Sequence, residues 1–363
     1  MKYDYIIVGT GLFGSVCAHE LFKRGKKILM VEKRNHIGGN CYTENINGID
    51  VHIYGAHIFH TNKKEIWNYV NSFVDFDPFL YRAKNYYQGK IYSFPINLMT
   101  LQQLYNITTP VEAEQFFKNI RKDKSDDNFE SYLKDNVGEQ LYKMFYEEYM
   151  IKQWGVKSGK DLPSFIAKRI PIRFNYDDNY YNDLYQGMPI DGYTKMFEAM
   201  LKNIPLILNI DFLNYMDELT KISEKIIYTG EIDRLLEYVY GNLEYRSITF
   251  KNETHKIKDF QGNCVINYSD LQIPYVRIIE HKHFGRKKVD DTIISYQYSC
   301  KYDKTNIPYY PINNNKNNLR YKKYIKLLKE KYPSIIVGGR LGEYKYYDMT
   351  DVIERALECV KKL

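Results

Sequence analysis

Three glycines near the N-terminus have the spacing of a nucleotide-binding turn. Gly9, Gly11 and Gly14 directly follow the apolar run Tyr3–Val8. In such a turn the first glycine permits the tight bend, the second lets the backbone approach a pyrophosphate, and the third lets helix and strand pack closely. The helix N-terminus offers unpaired N–H groups to a diphosphate. Glu32, at the end of the next strand, can accept a hydrogen bond from a ribose 2′-OH, so the pattern predicts a dinucleotide site rather than a glycine-rich turn without a ligand.

The residues after Glu32 distinguish between cofactors. Lys33 leads to a second glycine pair, Gly38-Gly39, and then to Asn40. This extension resembles the signature of the flavoproteins with two dinucleotide-binding domains, which include flavin amine oxidases and phytoene desaturases. That resemblance implies FAD rather than NAD. It also implies a C-terminal strand with two glycines and a helix facing the flavin, a pattern matched by Ser334–Arg340 followed by Asp348–Val352.

Four longer strings identify a narrower family. Tyr54–Thr61, Lys152–Gly155, Arg277–His283 and Gly339–Met349 occur in the order and form found in bacterial UDP-galactopyranose mutases. The resemblance extends from Tyr3 to the C-terminal helix. It implies an isomerase that converts UDP-α-D-galactopyranose to UDP-α-D-galactofuranose for cell-surface glycans.

The family resemblance also implies a mechanism. N5 of reduced FAD attacks the anomeric carbon and displaces UDP, the sugar opens and recloses as a five-membered ring, and UDP then returns. Oxidised flavin is inactive in this scheme because its N5 lacks a usable lone pair. The cofactor supplies the nucleophile, and the protein supplies position and charge.

Two arginines match the family's diphosphate clamp. Loss of UDP builds negative charge on the β-phosphate, and Arg169 and Arg277 are expected to stabilise it. Arg169 lies in Leu162–Phe174, which resembles a mobile lid. The segment Gly155–Pro163 is one residue longer here than in some members, so the assignments of Arg169 and Tyr180 depend on placing this insertion before Leu162. From the residues alone, Arg169 beside Lys168 can equally be a surface charge, and this alternative stays open without the resemblance.

Aromatic and amide side chains complete the expected substrate site. By resemblance, Phe145, Tyr149 and Trp154 lie on the uridine side, although Phe145 and Tyr149 also have the spacing of a helical core face. The other side chains expected to contact the substrate are Tyr180, Tyr310, Tyr346 and Asn267.

His57 and His60 belong to the histidine loop that the family places against the flavin, and we include both among the catalytic residues; the alternative for each is a structural histidine. The residues expected to contact FAD are Gly9, Gly11, Phe13, Gly14, Glu32, Lys33, Gly39, Asn40, His57, Ile58, Asp211, Phe212, Gly339, Arg340, Tyr347, Asp348, Met349 and Val352.

Composition limits other functions. The 363 residues carry a net charge of +7 from dispersed basic side chains, which suits an anionic ligand but makes nucleic acid a weak interpretation. The sequence lacks an apolar run long enough to span a bilayer, so we expect a cytoplasmic protein without membrane insertion. The five scattered cysteines predict reduced, mostly buried thiols. His281 and His283 alternate along a predicted strand, but no third ligand is evident and we expect no metal.

The elements that must hold these residues predict an α/β protein. It has a Rossmann-like FAD-binding domain, a helical insert and a separate antiparallel β-sheet domain. We assign 1–80, 187–242 and 318–363 to the FAD domain and 99–160 to the insert. The substrate domain is 81–98, 161–186 and 243–317, with the lid near 162–174. In the substrate domain, strands are predicted at Tyr245–Phe250, Asn263–Tyr268, Tyr275–His281 and Thr292–Ser299. Short strands at Lys225–Tyr228 and Ser334–Val337 are predicted to return to the sheet of the FAD domain. The helical pattern from 99 to 154 is interrupted by the charged stretch 121–128, predicted as a solvated loop, and 313–318 is predicted as an asparagine-rich loop.

Two alternatives remain open from the sequence: an FAD-dependent amine oxidase or desaturase, and a flavin-bearing binding protein without activity. The expected partners are UDP-galactose and UDP-galactofuranose, a reduced nicotinamide or another reductant, and a second copy of the chain in a homodimer. The sequence does not decide whether UDP-N-acetylgalactosamine is also a substrate.

Overall fold

The computed structural model describes residues 2–121 and 128–363. Its strands are β1 (Tyr3–Val8), β2 (Ile28–Val31), β3 (Thr43–Ile46), β4 (Ile49–His52), β5 (Phe59–Thr61), β6 (Phe76–Pro78), β7 (Lys84–Tyr87), β8 (Lys90–Ser93), β9 (Tyr185–Pro189), β10 (Leu206–Ile207), β11 (Ser223–Tyr228), β12 (Tyr245–His255), β13 (Val265–Tyr268), β14 (Arg277–Glu280), β15 (Thr292–Lys301), β16 (Tyr310–Pro311) and β17 (Ile335–Val337).

The α-helices are α1 (Leu12–Lys23), α2 (Lys64–Asn71), α3 (Leu98–Tyr105), α4 (Pro110–Ile120), α5 (Phe129–Tyr142), α6 (Glu148–Trp154), α7 (Phe165–Lys168), α8 (Tyr193–Met200), α9 (Met216–Lys221), α10 (Ile232–Leu235), α11 (Asn315–Lys331), α12 (Gly339–Gly342) and α13 (Met349–Lys361). Short 3-10 turns occur at Gly39–Cys41, Gly159–Asp161, Phe212–Tyr215 and His281–Phe284, and a π turn at Lys143–Glu147.

A five-stranded parallel sheet, in the order β10-β2-β1-β11-β17, forms the Rossmann-like part. All four residues of β2 are buried, as expected for a parallel strand covered on both faces. The predicted return of β11 and β17 to the N-terminal sheet is confirmed, because β11 pairs with β1 and β17 pairs with β11. The carboxyl ends of β1, β2, β11 and β17 therefore meet at one edge.

A seven-stranded sheet, in the order β16-β12-β15-β14-β13-β7-β8, forms the second layer. Its pairings are antiparallel except between β13 and β7, which run parallel. The four predicted strands correspond to β12, β13, β14 and β15 with shifted ends. Neighbouring β13 and β14 bring Asn267 opposite Arg277 in the ladder.

The predicted helical stretch from 99 to 154 contains α3, α4, α5 and α6, with the π turn Lys143–Glu147 joining the last two. Asn97, Thr109 and Asn128 cap α3, α4 and α5 with their side chains. Gly138, at φ +79°, bends α5. The charged stretch 121–128, predicted as a solvated loop, lies outside the described residues except for its two ends.

Two local predictions are wrong. The asparagine-rich stretch 313–318 is not a loop, because α11 begins within it: the Asn314 side chain caps this helix by accepting from the N–H of Asn317. His281 and His283 do not alternate along a strand, since β14 ends at Glu280 and the chain turns into a 3-10 segment.

Four predicted domain limits fall inside elements. The limits at 98/99 and 160/161 cut α3 and the 3-10 turn Gly159–Asp161. The limit at 186/187 cuts β9, which pairs with β5 and β6 in a three-stranded sheet, and the limit at 317/318 cuts α11. The division into domains stays a proposal.

All five cysteines are free, and three of them are buried, as predicted. No helix in the described part of the chain combines the length and apolar character needed to cross a bilayer.

Candidate active site

The glycine turn at the carboxyl end of β1 leaves no room for side chains. Gly9 has φ +96°, and a Cβ at Gly14 would lie 2.1 Å from the carbonyl oxygen of Gly9. A Cβ at Gly39 would lie 2.8 Å from the Cα of Gly11, so the second glycine pair packs directly on the turn. Any side chain at these positions would displace the backbone that forms the cradle.

Glu32 holds this turn together. Its Oε2 accepts from the N–H and the hydroxyl of Thr10, both at 2.8 Å, and its Oε1 accepts from the N–H of Arg34 at 2.9 Å. The carboxylate is buried at the end of β2 and lines the same cavity as the glycines. Glu32 therefore stabilises the turn itself, in addition to any hydrogen bond that it makes to a ribose.

The dinucleotide cavity contains most of the side chains predicted for the cofactor. Those lining it are Gly9, Gly11, Phe13, Gly14, Glu32, Lys33, Gly39, Asn40, His57, Asp211, Phe212, Gly339, Arg340, Asp348, Met349 and Val352. Ile58 and Tyr347 line the neighbouring cavity instead. Sequence reasoning missed Thr229, Glu231 and Arg234, which follow β11. The available signal was their position just after a predicted strand of the parallel sheet. Arg234 forms an ion pair with Asp211 at 2.6 Å, and Asp211 was itself predicted to contact the cofactor.

A second, tyrosine-rich cavity of about 530 Å³ adjoins the first. It contains every side chain predicted for the substrate, drawn from segments far apart in the sequence: Phe145, Tyr149, Trp154, Arg169, Tyr180, Asn267, Arg277, Tyr310 and Tyr346. His60 also lines it. The structure thus brings together the arginines and tyrosines that an anionic ligand requires.

Arg277 projects from β14 onto the helix side of this cavity. Its guanidinium donates to the hydroxyl of Tyr149, and its buried Nε has no hydrogen-bond partner among the described residues. A guanidinium stays charged at any working pH, so the site holds a cation whose Nε–H group can donate to a bound anion.

Arg169 approaches the same cavity from the end of α7. Its Nη2 lies 3.4 Å from Oδ2 of Asp348, and its guanidinium lies 4.9 Å from the centre of the Tyr346 ring. Asp348 also caps α13 by accepting from the N–H of Asp351. The predicted lid is fixed at its ends, since Leu162 accepts from the N–H of Phe129 and the N–H of Arg173 donates to Ile96.

The tyrosines are poised as neutral donors. Burial raises the pKa of Tyr180 and of Tyr310 to about 12, so both keep their O–H at neutral pH. Tyr310 stacks on Tyr346 at 5.5 Å between ring centres, and Trp154 lies 6.0 Å from Tyr310. Trp154 therefore lies beside Tyr310 and Tyr346, two of the tyrosines predicted to contact the substrate.

Phe145 belongs both to the hydrophobic core and to the wall of the tyrosine-rich cavity. Its side chain is 2% exposed and packs against Phe94 and Tyr92, as its spacing on a helical core face indicates. It nevertheless reaches the cavity wall. The core and the ligand-binding interpretations of this residue are thus compatible.

The two histidines of the loop differ. Nδ1 of His57 lies 2.7 Å from the carbonyl oxygen of Gly55, which can only accept, so Nδ1 carries the proton. Burial lowers the pKa of His57 to about 4, and the ring is neutral at pH 7. Nδ1 of His60 lies 2.5 Å from Oδ2 of Asp183, and Tyr181 stacks on its ring at 3.6 Å.

Several residues of this cavity gave no sequence signal. Asp183 and Tyr181 hold His60, and buried Asn85 lines the wall with an amide nitrogen that has no partner in the described chain. Arg246, on β12, does not line the cavity but donates to the carbonyls of Gln153 and Lys152 at the end of α6. None belongs to a contiguous motif, and only the fold brings each to the site.

The two cavities share a wall. His57, Tyr309, Arg340, Asp348 and Met349 line both of them. A group bound in the first cavity can therefore meet a ligand bound in the second.

His283 has the carboxylate neighbours that the sequence did not reveal. The side-chain ligand atoms of Asp259, Glu280 and His283 lie within 4.8 Å of one another, and none of these residues lines either cavity. The Glu280 oxygens already accept from the N–H groups of Phe260 and Gln261 and from the hydroxyl of Thr292. Hydrogen bonding accounts for this cluster.

The parallel sheet, the glycine turn and the returning C-terminal strand and helix define an FAD-type dinucleotide-binding enzyme. A family model described as an NAD(P)-binding Rossmann-like domain matches residues 7–73, and one described as UDP-galactopyranose mutase matches residues 144–346. A probable UDP-galactopyranose mutase of Klebsiella pneumoniae is 38% identical, over 98% of this chain and 93% of the relative. The chain belongs to the UDP-galactopyranose mutase family and is an isomerase.

Two further comparisons bear on fold and specificity. The crystal structure of a reduced UDP-galactopyranose mutase superposes with a TM-score of 0.78 at 15% identity, covering 99% of this chain and 95% of that one, which shows a common fold. A dTDP-fucopyranose mutase of Escherichia coli is also 38% identical, over 98% of this chain and 97% of the relative. The family thus includes relatives named for different nucleotides and sugars.

Proposed function

We propose that the protein interconverts UDP-galactopyranose and UDP-galactofuranose with reduced FAD in the dinucleotide cavity. The observation that carries this proposal is the shared wall between a glycine cradle and a cavity containing two arginines and several tyrosines. A nucleoside diphosphate sugar needs such cations for its phosphates and flat side chains for its base.

The residues present fit FAD. A Cβ at Gly39 would lie 2.8 Å from the Cα of Gly11, so this side of the cradle admits only glycine, and Glu32 stands at the ribose position of a Rossmann fold. Gly9, Gly11 and Gly14 would hold the diphosphate at the N-terminus of α1. When bound in reduced form, the flavin supplies a nucleophilic nitrogen.

The chain's own side chains stabilise the leaving group. Arg277 and Arg169 would bind the diphosphate, on which negative charge grows as the anomeric C–O bond breaks. Tyr180 and Tyr310 keep their protons and donate to phosphate oxygens. His57 is neutral and adds no charge to the wall that the two cavities share. Closure of the predicted lid at 162–174 would bring Arg169 onto the ligand and exclude water.

A dTDP-6-deoxysugar is the second candidate substrate, because the relative named for dTDP-fucopyranose is as similar as the one named for UDP-galactopyranose. An amine oxidase is less well supported, since it has no use for paired guanidinium groups in its cavity. We also infer a cytoplasmic homodimer reduced by a nicotinamide.

The test is turnover by dithionite-reduced protein. UDP-galactopyranose, UDP-N-acetylgalactosamine and dTDP-fucopyranose are incubated separately and the products separated by chromatography. Formation of UDP-galactofuranose at the highest kcat/KM supports the proposal, and preference for the dTDP-sugar supports the second candidate. If none of the three is converted, the proposal is wrong.

Arg277→Ala provides the matched test of the clamp. Loss of the buried cation is expected to lower kcat/KM by about 1,000-fold, consistent with removal of a charged donor to a developing anion. Flavin content should stay at the wild-type level because Arg277 does not line the dinucleotide cavity. Retained turnover would remove Arg277 from the clamp.

A further inference from the structure

The ammonium group of Lys152 lies in a cage of backbone carbonyls. Nζ donates to the carbonyl oxygens of Tyr268 at 2.6 Å, Asp270 at 2.9 Å, Ile273 at 3.1 Å and Tyr275 at 3.0 Å. An ammonium has three hydrogens, so the four acceptors share them. All four carbonyls belong to the connection between β13 and β14 or to its edges.

This connection joins two strands that carry predicted substrate-binding residues. Asn267 precedes it on β13, and Arg277 follows it on β14. Lys152 itself lies in the last turn of α6, between Tyr149 and Trp154. Lys152 therefore joins α6, which carries the aromatic side chains, to the β13–β14 hairpin, which carries Asn267 and Arg277.

We propose that Lys152 is a positioning residue that sets the distance between α6 and the β13–β14 hairpin, and thereby the affinity for the nucleotide diphosphate. The inference rests on the proposed function for the identity of the ligand. It assigns Lys152 no contact with the substrate, because Lys152 does not line the tyrosine-rich cavity.

Neighbouring contacts show why the spacing matters. Arg277 donates directly to the hydroxyl of Tyr149, across the gap that Lys152 spans. Glu148, one turn earlier on α6, accepts from the N–H of Leu271 at 2.7 Å, so it fixes only the tip of the connection. Without the ammonium, four carbonyls lose a donor and the hairpin can move away from the helix.

The charge state of Lys152 is sensitive to pH in the accessible range. Burial lowers its pKa to about 8, while Asp270 and Glu148 oppose the shift. Two of the carbonyls that accept from Lys152 belong to Tyr268 and Tyr275, whose phenol pKa values are raised by burial, and the guanidinium of Arg246 donates to the carbonyl of Lys152. As pH rises through 8, Lys152 loses a proton and one donor.

The experiment measures binding of UDP and of dTDP to the FAD-loaded protein by calorimetry at pH 7, using the tighter ligand for each comparison. Lys152→Met keeps the chain length and removes the donors. We expect the Kd to rise at least about tenfold and KM to rise with it, while kcat changes less than about threefold, the pattern of lost ground-state binding. Lys157→Met, at an exposed lysine just beyond α6, should leave the Kd unchanged.

The readouts separate positioning from general stability. Flavin content and the urea midpoint report folding, so weaker nucleotide binding at unchanged flavin content supports the proposal. A Kd within threefold of wild type in Lys152→Met overturns it. Nucleotide affinity can be compared whether or not the wild type isomerises UDP-galactopyranose, so failure of the proposed function is distinguishable.

A second measurement compares two pH profiles. The phosphates of UDP are mostly ionised above pH 7, since their last pKa is roughly 6. From pH 7 to pH 9 the wild-type Kd is expected to rise more steeply than the Kd of Lys152→Met, which has no amine to deprotonate at this position. Parallel profiles with equal Kd values at pH 7 overturn the proposal.

Discussion

The dinucleotide cavity takes much of its wall from short contiguous stretches of backbone, whereas the tyrosine-rich cavity takes single side chains from many separate segments. The shape of the dinucleotide cavity depends on glycines, at positions where a side chain would clash, and on the carboxylate of Glu32 after β2. In the second, Arg169, Arg277 and the tyrosines meet only because α6, α7 and β14 converge. The first cavity should therefore fail through backbone geometry, and the second through loss of individual charges or of the contacts that position them.

Gly14→Ala should break the first cavity most severely. The new Cβ would lie 2.1 Å from the Gly9 oxygen, so α1 must move away from β1. We expect a loss of about 3 kcal/mol in stability, typical of severe overpacking, and loss of most bound FAD. The flavin-to-protein absorbance ratio and the urea midpoint measure both effects.

Gly285→Ala is the control, because a Cβ there meets no atom within 4 Å. Its flavin content should equal that of the wild type. A normal flavin content in Gly14→Ala would contradict the steric account of the cradle.

Arg169→Ala should affect only the second cavity. Removing this cation of the predicted lid should lower kcat/KM about 100-fold, or about 2.7 kcal/mol at 1.36 kcal/mol for each factor of ten, with the flavin still bound. Steady-state kinetics with reduced enzyme measures the loss. Lys157→Ala, which removes an exposed cation nearby, should retain activity; an equal loss there would indicate a general charge effect.

Glu280→Gln should have a smaller effect on the sheet that holds Arg277. Burial tends to raise the pKa of Glu280, but hydrogen bonds from His283, Thr292 and two backbone N–H groups outweigh it and lower the pKa to about 2. Replacing one oxygen by an amide donor should cost about 2 kcal/mol at pH 7, seen as a lower urea midpoint.

The sign of the pH dependence follows from the lowered pKa. Glu280 stabilises the folded state above its ordinary value of 4.5, and this contribution is lost as pH falls from there through about 2. The difference in urea midpoint between wild type and Glu280→Gln should therefore narrow from pH 5 to pH 3. A constant difference would show that the carboxylate charge is not involved.

The two cavities also differ in how far sequence could predict them. Gly9, Gly11, Gly14 and Glu32 form a pattern whose meaning is local, because a strand, a turn and a helix are fixed by neighbouring residues. Family resemblance added the arginines and tyrosines of the second cavity. Asn85 and Asp183 were missed because their partners lie far away in the chain: His60 and Asp183, for example, are 123 positions apart.

Local misreadings had physical causes of the same kind. Asparagines such as those at 313–318 favour turns, but they also favour the first residues of a helix. Here the side chain of Asn314 caps α11 by accepting from the N–H of Asn317. The side-chain amide of Asn317 in turn donates to Glu244 and to the carbonyl of Ile312. His281 lies just beyond the end of β14, where its buried ring is hydrogen-bonded to Ser295, a long-range contact that the local strand pattern does not contain.

The sequence by itself determined the dinucleotide turn, the parallel sheet and, through longer matching strings, the enzyme family. These depend on local backbone geometry and on the order of residues. Only the tertiary structure decided which side chains line both cavities, that Glu32 also ties the glycine turn, and that Lys152 joins α6 to the hairpin of Arg277. Such contacts arise when distant segments pack, and packing depends on the whole core rather than on any one stretch of the chain.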